Sequence, residues 1–258
     1  FVRFLFVAIR DYRRQYGAPD PIHVHMMSRN AIPAWWYQWI HGIPYLITEH
    51  ATYYLGETYL QLHPLRRALR RWLFHSAKAV TVVSPSLQSA LKTRGLRDNS
   101  LIIPNVVERH SSPLSTPVLD GQKEKTKILN VSDFHDRKKN ISGLLRAAHQ
   151  LFRNGWVFEL HVIGGGPDWI TIQQLHAELF GEEESPVFFY GRKENPFVLQ
   201  AMQEIDFYVC PSHVETFSVT TAEALAAGKP VVCTRCGGPE YFVNARCGLV
   251  VPKGDHEA

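Results

Sequence analysis

From residue 128 onward the chain repeats one local unit: a short apolar run that reads as a strand, then a loop, then a stretch of helical periodicity. Strands read at Ile128–Val131, 157–163, 187–190, 206–210, 230–234 and 248–251, with helical segments between them. The first of these helices places Ile141, Leu144, Leu145, Ala148 and Leu151/Phe152 on one face, the spacing of an amphipathic helix. Strands separated by helices cannot pair as tight hairpins. The crossovers make them parallel, and parallel sheets are covered on both faces. The fold class expected is therefore α/β.

Residues 1–108 carry the same alternation less clearly. A helical stretch reaches about Tyr16 and is stopped by Gly17 and the Pro19/Pro21 pair. The strand Ile22–His25 follows, then a helix holding Trp35, Trp36 and Trp39, the strand Tyr45–Thr48, a basic helix around 62–76 and the strand Ala79–Val83. Ser84-Pro85 reads as an N-cap with proline at the first helical position. A last strand, Leu101–Ile103, leads into IPNVVE. Residues 109–126 are polar, rich in Pro and Ser and without periodicity, so they read as a linker between lobes 1–108 and 127–258. Two such lobes would leave a cleft between them.

Composition excludes several classes. A 45% hydrophobic, 20% charged chain is an ordinary globular one. The net charge of +4 is mild and local, so no nucleic acid partner is expected. No apolar run approaches the ~20 residues of a membrane span. The opening FVRFLFVAIR is broken by Arg3 and lacks a small-residue cleavage site, and reads as an amphipathic helix rather than a signal peptide. The cysteines are 210, 233, 236 and 247. Cys233 and Cys236 have C-x-x-C spacing, but no second pair accompanies them and Cys233 closes an apolar strand. Reduced thiols in a cytoplasmic protein are the expectation, not a metal or redox site.

Ligands of parallel α/β sheets bind outside the carboxyl ends of the strands. That rule selects the loops Ser132–Asn140, Gly164–Asp168, Gly191–Asn195, Pro211–Ser218 and Arg235–Pro239. The strongest signal lies in PSHVETFSVTTAE, residues 211–223, which ends a buried strand and opens a helix. Glu215 and Glu223 there have E-x7-E spacing. Either glutamate alone reads as a capping acid or a solvated helix residue. Amides of Phe217, Ser218 and Val219 at the helix start form an anion site suited to a diphosphate. Lys139 stands at another strand-to-helix loop, with Asn140 read as the N-cap of the next helix. Three basic residues in one loop can also be a merely solvated run.

PSHVETFSVTTAEALAAGKPVVCTRCGGPEYFV resembles the nucleotide-sugar-binding segment of family 4 (group 1) retaining glycosyltransferases, which have the GT-B fold. The resemblance continues through VSDFHDRKKNISGLLRA, HVIGGGPD, VFFYGR, VTVVSPS, IPNVVE, YLITEH and IHVH, nearly the whole chain. It implies two Rossmann-like lobes with parallel sheets, an acceptor side in 1–108 and a nucleotide-sugar side in 127–258. It implies that Glu215 contacts donor-sugar hydroxyls, Glu223 the nucleotide ribose, and Lys139 the diphosphate, with Thr216, Phe217, Ser218 and Val219 lining the donor. Gly164, Gly165, Gly166 and Arg192 would line the nucleotide side, and Gly237 and Gly238 would let the backbone approach the donor. Asp133 occupies the position where the family commonly has an arginine, a departure for which Arg137 or Lys138 could substitute. His50, ending YLITEH, takes the role of a histidine facing the reacting sugar. His23 and His25 flank Val24 in an alternating strand and, without a third ligand, read as structural.

The family also implies the chemistry. A sugar passes from a nucleoside diphosphate donor to an acceptor hydroxyl with retention, as in polysaccharide, lipopolysaccharide or glycolipid synthesis. No D-x-D motif is present, so no metal or other cofactor is required. The partners are a nucleotide sugar and a glycan or lipid-linked acceptor. In HPLRRALRRWLFHSAK, Leu65, Leu69 and Leu73 form one stripe with Arg66, Arg67, Arg70 and Arg71 around it. The stripe reads first as core with solvated arginines, and otherwise as a dock on anionic lipid, which would put the protein at the inner face of the cytoplasmic membrane. The Trp35/Trp36/Trp39 cluster likewise reads as core rather than an acceptor platform. The family's first strand and glycine-rich loop normally lie well upstream of DPIHVH, whereas residues 1–19 are all that precede it here. The chain is thus read as truncated at both ends, its first lobe partial and its second lacking the closing helices. A nucleotide-sugar epimerase of the same fold and a catalytically silent nucleotide-sugar-binding subunit are the rival readings.

Overall fold

A computed structural model describes residues 2–108, 125–181 and 183–254. Most of the expected linker, positions 109–124, lies outside them. The chain divides into two compact units, Phe1–Asn105 and Val106–Ala258.

The first unit runs α1 (Val2–Tyr16), β1 (Ile22–His25), α2 (Ala31–His41), β2 (Tyr45–Glu49), α3 (Pro64–Ser76), β3 (Ala79–Val82), α4 (Pro85–Thr93) and β4 (Leu101–Ile102). Its four strands pair in sequence order, all parallel. Ser84 caps α4 as expected, its hydroxyl accepting from the Leu87 amide.

Two expectations for this unit fail. In α3 only Leu73 and Phe74 enter the core, while Leu65 is 75% and Leu69 43% exposed. The arginines are not simply solvated either. Arg70 donates to the Met27 carbonyl and the Tyr54 hydroxyl, and Arg71 to the Gly95 carbonyl. The helix buries its C-terminal half against the sheet, so a stripe continuous in sequence is divided between core and solvent. In α2 the buried residues are Ala31, Pro33, Ala34 and Tyr37. Trp39 is 70% exposed and stacks on half-buried Trp35, which also meets Trp72 of α3 at 4.3 Å. Small residues let α2 approach the sheet closely; Trp36 is half-buried and meets Phe6 of α1 edge-on at 5.3 Å, which leaves Trp39 on the outer side.

The second unit runs β5 (Thr126–Asp133), α5 (Asp136–Lys139), α6 (Ile141–Arg153), β6 (Phe158–Gly165), α7 (Trp169–Phe180), β7 (Val187–Gly191), α8 (Asn195–Glu204), β8 (Phe207–Cys210), α9 (Val219–Ala226), β9 (Val231–Thr234) and β10 (Gly248–Val251). All six strands are parallel, in the order β10-β9-β8-β5-β6-β7. Alternation along the strands separates two cores. Ile128, Phe134, Ile141, Leu145, Leu160 and Val162 pack in one, and Leu129, Ile163, Met202, Tyr208, Val231 and Cys233 in the other.

Strands are added outward from β5 in one direction as far as β7, and the chain then returns to place β8 on its other side. That reversal is a topological switch point, the place where open α/β sheets put ligands at the carboxyl ends of their strands. Buried Asn130 bridges the two strands, its amide donating to the Val209 carbonyl at 2.9 Å. The cysteines are free, and Cys210, Cys233 and Cys236 are buried. Burial pushes the Cys233 thiol up to about 12.

Candidate functional site

The loops leaving β5 and β8 bring Lys139 and Glu215, 76 positions apart, into direct contact. The Lys139 ammonium lies 2.6 Å from Glu215 Oε1, and the Ser212 hydroxyl donates to the same oxygen at 2.9 Å. The arrangement is held by the backbone. His213 N donates to the Lys138 carbonyl at 2.7 Å, Glu215 N to the Cys236 carbonyl at 2.9 Å, and the Asn140 side-chain amide to the Pro211 carbonyl at 3.2 Å. The Thr234 hydroxyl donates to the Ser212 carbonyl.

Burial works against the Lys139 charge. The carboxylates of Glu215 and Asp133 outweigh it, and the ammonium pKa is raised. Asp133 Oδ1 stands 3.9 Å from Lys139, with His135 3.7 Å from its other oxygen. Where an arginine was the family expectation, this chain thus holds a second carboxylate beside one lysine. Arg137 and Lys138 are exposed on α5.

Asn140 does not cap α6 through its side chain. Its backbone is left-handed (φ 53°, ψ 44°), and Asp136 Oδ1 instead accepts from Ser142 N at 2.8 Å. One residue alone separates α5 from α6, so it must turn the chain, and the acid at the start of α5 supplies the cap. Lys139 accordingly ends a short helix instead of lying in an open loop. Asp168 accepts from Asp136 N at 2.7 Å and ties the β6 loop to this turn.

Ser218 precedes α9 in a left-handed conformation (φ 67°, ψ 82°), with its hydroxyl 2.7 Å from that of Thr221. Thr216 and Phe217 are buried, while Val219 is 41% exposed. Tyr208 anchors the helix start, its hydroxyl 2.8 Å from that of Thr220 and donating to the Val131 carbonyl. Glu223 is half-buried on α9. A side chain at Gly238 would fall 2.6 Å from the Phe217 nitrogen, so this glycine serves contact between two protein backbones.

The glycine run at the end of β6 serves two needs. A Cβ on Gly164 would lie 1.8 Å from the Ser132 carbonyl oxygen, and one on Gly166 within 3.0 Å of the Phe134 backbone. Gly165 meets nothing nearer than 3.9 Å. A cavity of about 370 Å³ opens here, lined by Ser132, Asp133, Gly164, Gly165, Arg192 and Lys193 among others. Arg192 donates to the Gly165 carbonyl at 3.3 Å.

In the first unit His50 directly follows β2. Its ring stacks on His25 at 5.8 Å, and His25 lies 4.1 Å from His23. The two strand histidines therefore share a face and have a third imidazole beside them. Among the described residues, however, no group of three or more His, Cys, Asp or Glu is placed to hold a metal ion. Burial, then repulsion from His25 and His23, lowers the His50 pKa.

Sequence reasoning missed Glu49. It is fully buried and accepts from the amides of Met27, His50 and Ala51 at 2.9 Å each, so it fixes the chain that carries His50. A signal existed. Tyr45, Ile47 and Glu49 share the inward face of β2 by period-two alternation, and an acid there must find donors. Ser212 was likewise passed over inside its motif.

The Glycosyl transferases group 1 model matches residues 125–258, and the Glycosyl transferase 4-like domain model matches 2–106. The chain belongs to the group 1 glycosyl transferases. N-acetyl-alpha-D-glucosaminyl L-malate synthase of Bacillus anthracis is 29% identical to it over 92% of the chain and 62% of that protein. Phosphatidyl-myo-inositol mannosyltransferase of Mycobacterium leprae is 26% identical over 94% and 62%. The chain thus spans about three fifths of these curated relatives. Among solved structures, sucrose-phosphate synthase from Thermosynechococcus elongatus matches with a TM-score of 0.80 at 22% identity, covering 100% of this chain and 66% of that one. Anabaena Alr3699/HepE in complex with UDP-glucose matches at 0.75 and 19%, covering 98% and 69%. The fold is GT-B: two α/β units, each built on a parallel sheet.

Proposed function

We propose that this family member is a retaining glycosyltransferase moving a sugar from a nucleoside diphosphate sugar to an acceptor hydroxyl. The observation that carries the reading is the Lys139–Glu215 contact at the switch point of the second sheet, within the segment that matches the family. In this reading the nucleoside occupies the cavity beside Gly164, Gly165 and Arg192, with Glu223 on its ribose. The diphosphate lies between Lys139 and the amides at the start of α9. Glu215 accepts from sugar hydroxyls once Lys139 turns to the phosphate, so binding the donor exchanges one partner of the lysine for another. The bond from anomeric carbon to diphosphate oxygen breaks, the bond to the acceptor oxygen forms on the same face, and the acceptor proton passes to the departing phosphate. Lys139 neutralises the charge that develops there, and no metal is needed. His50, whose pKa is lowered by burial and then by His25 and His23, can donate or accept a hydrogen bond in the first unit.

Incubation with a panel of nucleotide sugars and candidate acceptors, with the product anomer read by NMR, tests the assignment. Glu223→Ala is expected to weaken both nucleotide and nucleotide-sugar binding by about 1.5–3 kcal/mol, as for a charge-assisted hydrogen bond. Isomerised donor without adduct would make the protein an epimerase instead. The carboxylate of Asp133 beside Lys139 favours one alternative, a subunit that binds nucleotide sugar without turning it over. Binding without transfer or hydrolysis would establish it.

The reading extends to a membrane-borne acceptor. No helix among the described residues is long and apolar enough to cross a membrane. Leu65, Leu69, Trp72 and Trp39 nevertheless stand exposed on α3 and α2 beside Arg66 and Arg67, a composition suited to docking on anionic lipid. Sedimentation with anionic vesicles is expected to recover the protein in a salt-sensitive manner, and Leu65→Ser with Trp39→Ser to abolish recovery. Equal recovery with neutral vesicles would remove this part of the proposal.

A further inference from the structure

The first unit holds an open groove of about 580 Å³ between the segment 57–62, α3 and α4. Arg67, Arg71 and Arg94 converge on it, together with Tyr59, Leu60 and Thr93, and no carboxylate lines it. Its volume lies in the range of roughly 300–1,000 Å³ usual for small-molecule sites.

The three guanidiniums are held differently. Arg94 donates to the carbonyls of Tyr54 and Gly56, both at 2.7 Å, and lies 5.4 Å from the Tyr59 ring centre. Arg71 donates through Nε to the Gly95 carbonyl at 2.9 Å, which leaves its two terminal nitrogens. Gly95 makes this approach possible, since a Cβ there would fall 2.2 Å from the Arg71 guanidinium. Arg67 is half-buried, its backbone amide donates to the His63 carbonyl, and its guanidinium makes no hydrogen bond or ion pair with any other described residue.

Three like charges gathered in one groove repel each other, and half-burying a guanidinium with idle donors is unfavourable. Neutral carbonyls orient two of the three but do not cancel their charge. A tetrahedral oxyanion would, because each planar fork can engage two of its oxygens and two of the forks are already ordered. We propose that this groove binds a phosphate-bearing ligand, a mono- or diester that is either a free phosphorylated metabolite or a phospholipid headgroup. The site lies in the first unit, whereas the residues assigned to the donor diphosphate lie in the second, so it stands apart from the donor site; its lipid-headgroup form shares Arg67 with the membrane surface proposed above.

The test compares the parent chain with Arg67→Gln. Calorimetry would use glycerol 3-phosphate with glycerol as control, and flotation would use phosphatidylcholine vesicles with and without phosphatidic acid. The expected result is binding of the phosphate-bearing probe, weakened at least about tenfold in Arg67→Gln, whose unliganded melting temperature is not lowered because one repulsive charge has gone. Arg67→Lys should fall between the two, since it keeps the charge and loses the fork. Arg67-dependent binding of glycerol 3-phosphate assigns a free metabolite, and Arg67-dependent flotation confined to phosphatidic acid vesicles assigns a lipid headgroup. Binding of neither probe, or binding indifferent to Arg67, would overturn the site while leaving the donor site untouched.

Discussion

Replacing Lys139 by alanine is expected to weaken nucleoside diphosphate binding by about 1.5–3 kcal/mol, a loss of roughly ten- to hundredfold in affinity. Glu215→Gln is expected to act in the opposite direction. It removes the charge that holds the ammonium at 2.6 Å and frees it for phosphate, so affinity for the free nucleotide should rise by roughly three- to tenfold. Transfer should nonetheless collapse in this variant, because the amide is a weaker acceptor for the sugar. Glutamine is the useful substitution because it can still accept the Ser212 hydroxyl. Alanine would leave the half-buried Lys139 beside a void and without its partner, which mixes a stability defect into the binding measurement. Since the two side chains share one contact, their effects on nucleotide binding should not add. The double variant should bind like Lys139→Ala alone, because with the lysine gone there is nothing for Glu215 to release. Calorimetry of the four proteins with UDP and GDP reads this directly. Additive effects, or weaker nucleotide binding in Glu215→Gln, would show that the pair does not regulate access to the diphosphate.

The second large effect is structural and falls at Gly164. Alanine there should destabilise the second unit by more than about 4 kcal/mol, in the range reserved for named defects such as strain at a special backbone conformation. Its φ of 143° lies in a region where side chains strain the chain, and the new methyl would sit 1.8 Å from the Ser132 carbonyl oxygen. Neither strand end can yield, because β5 and β6 are in register from Thr126–Phe158 through Asp133–Gly165. Gly165→Ala is the control. Its nearest neighbours are 3.9 Å away, so its unfolding midpoint should match the parent's. Denaturant titration followed by near-ultraviolet circular dichroism, with Trp169 as the local reporter, would compare the three. A Gly164→Ala protein as stable as Gly165→Ala would mean that the glycine run is kept for the ligand alone. The pair thus separates two roles that look identical in the string GGG.

Much of the architecture was legible because period carries topology. Ten strands stand where apolar runs bounded by turn residues placed them, within a few residues at each end, and the parallel sense follows from the helices between them. Ser84-Pro85 capped its helix because capping is local chemistry. The candidate loops could be read for the same reason, since carboxyl ends of parallel strands are known once the strands are.

What remained hidden depended on which residues meet. The switch between β5 and β8 brings Lys139 to Glu215 and Ser212, and no spacing in the chain encodes a contact across 76 positions. The same pairing converts Asp133 from an apparent gap in a phosphate clamp into a second carboxylate beside the lysine. Asn140 misled because asparagine serves both as N-cap and as left-handed turn, and the proximity of α5 to α6 chose the turn. The leucine stripe of α3 and the tryptophans of α2 carried the right period for a core. How far each helix overlaps the sheet decided that Leu73 is buried and Leu65 is not. Periodicity therefore determined the elements and their order in this protein, because it acts over a few residues through local geometry. Packing decided the partners of Lys139, the burial of Glu49 and the convergence of Arg67, Arg71 and Arg94, because charge and burial depend on neighbours that only the folded chain supplies.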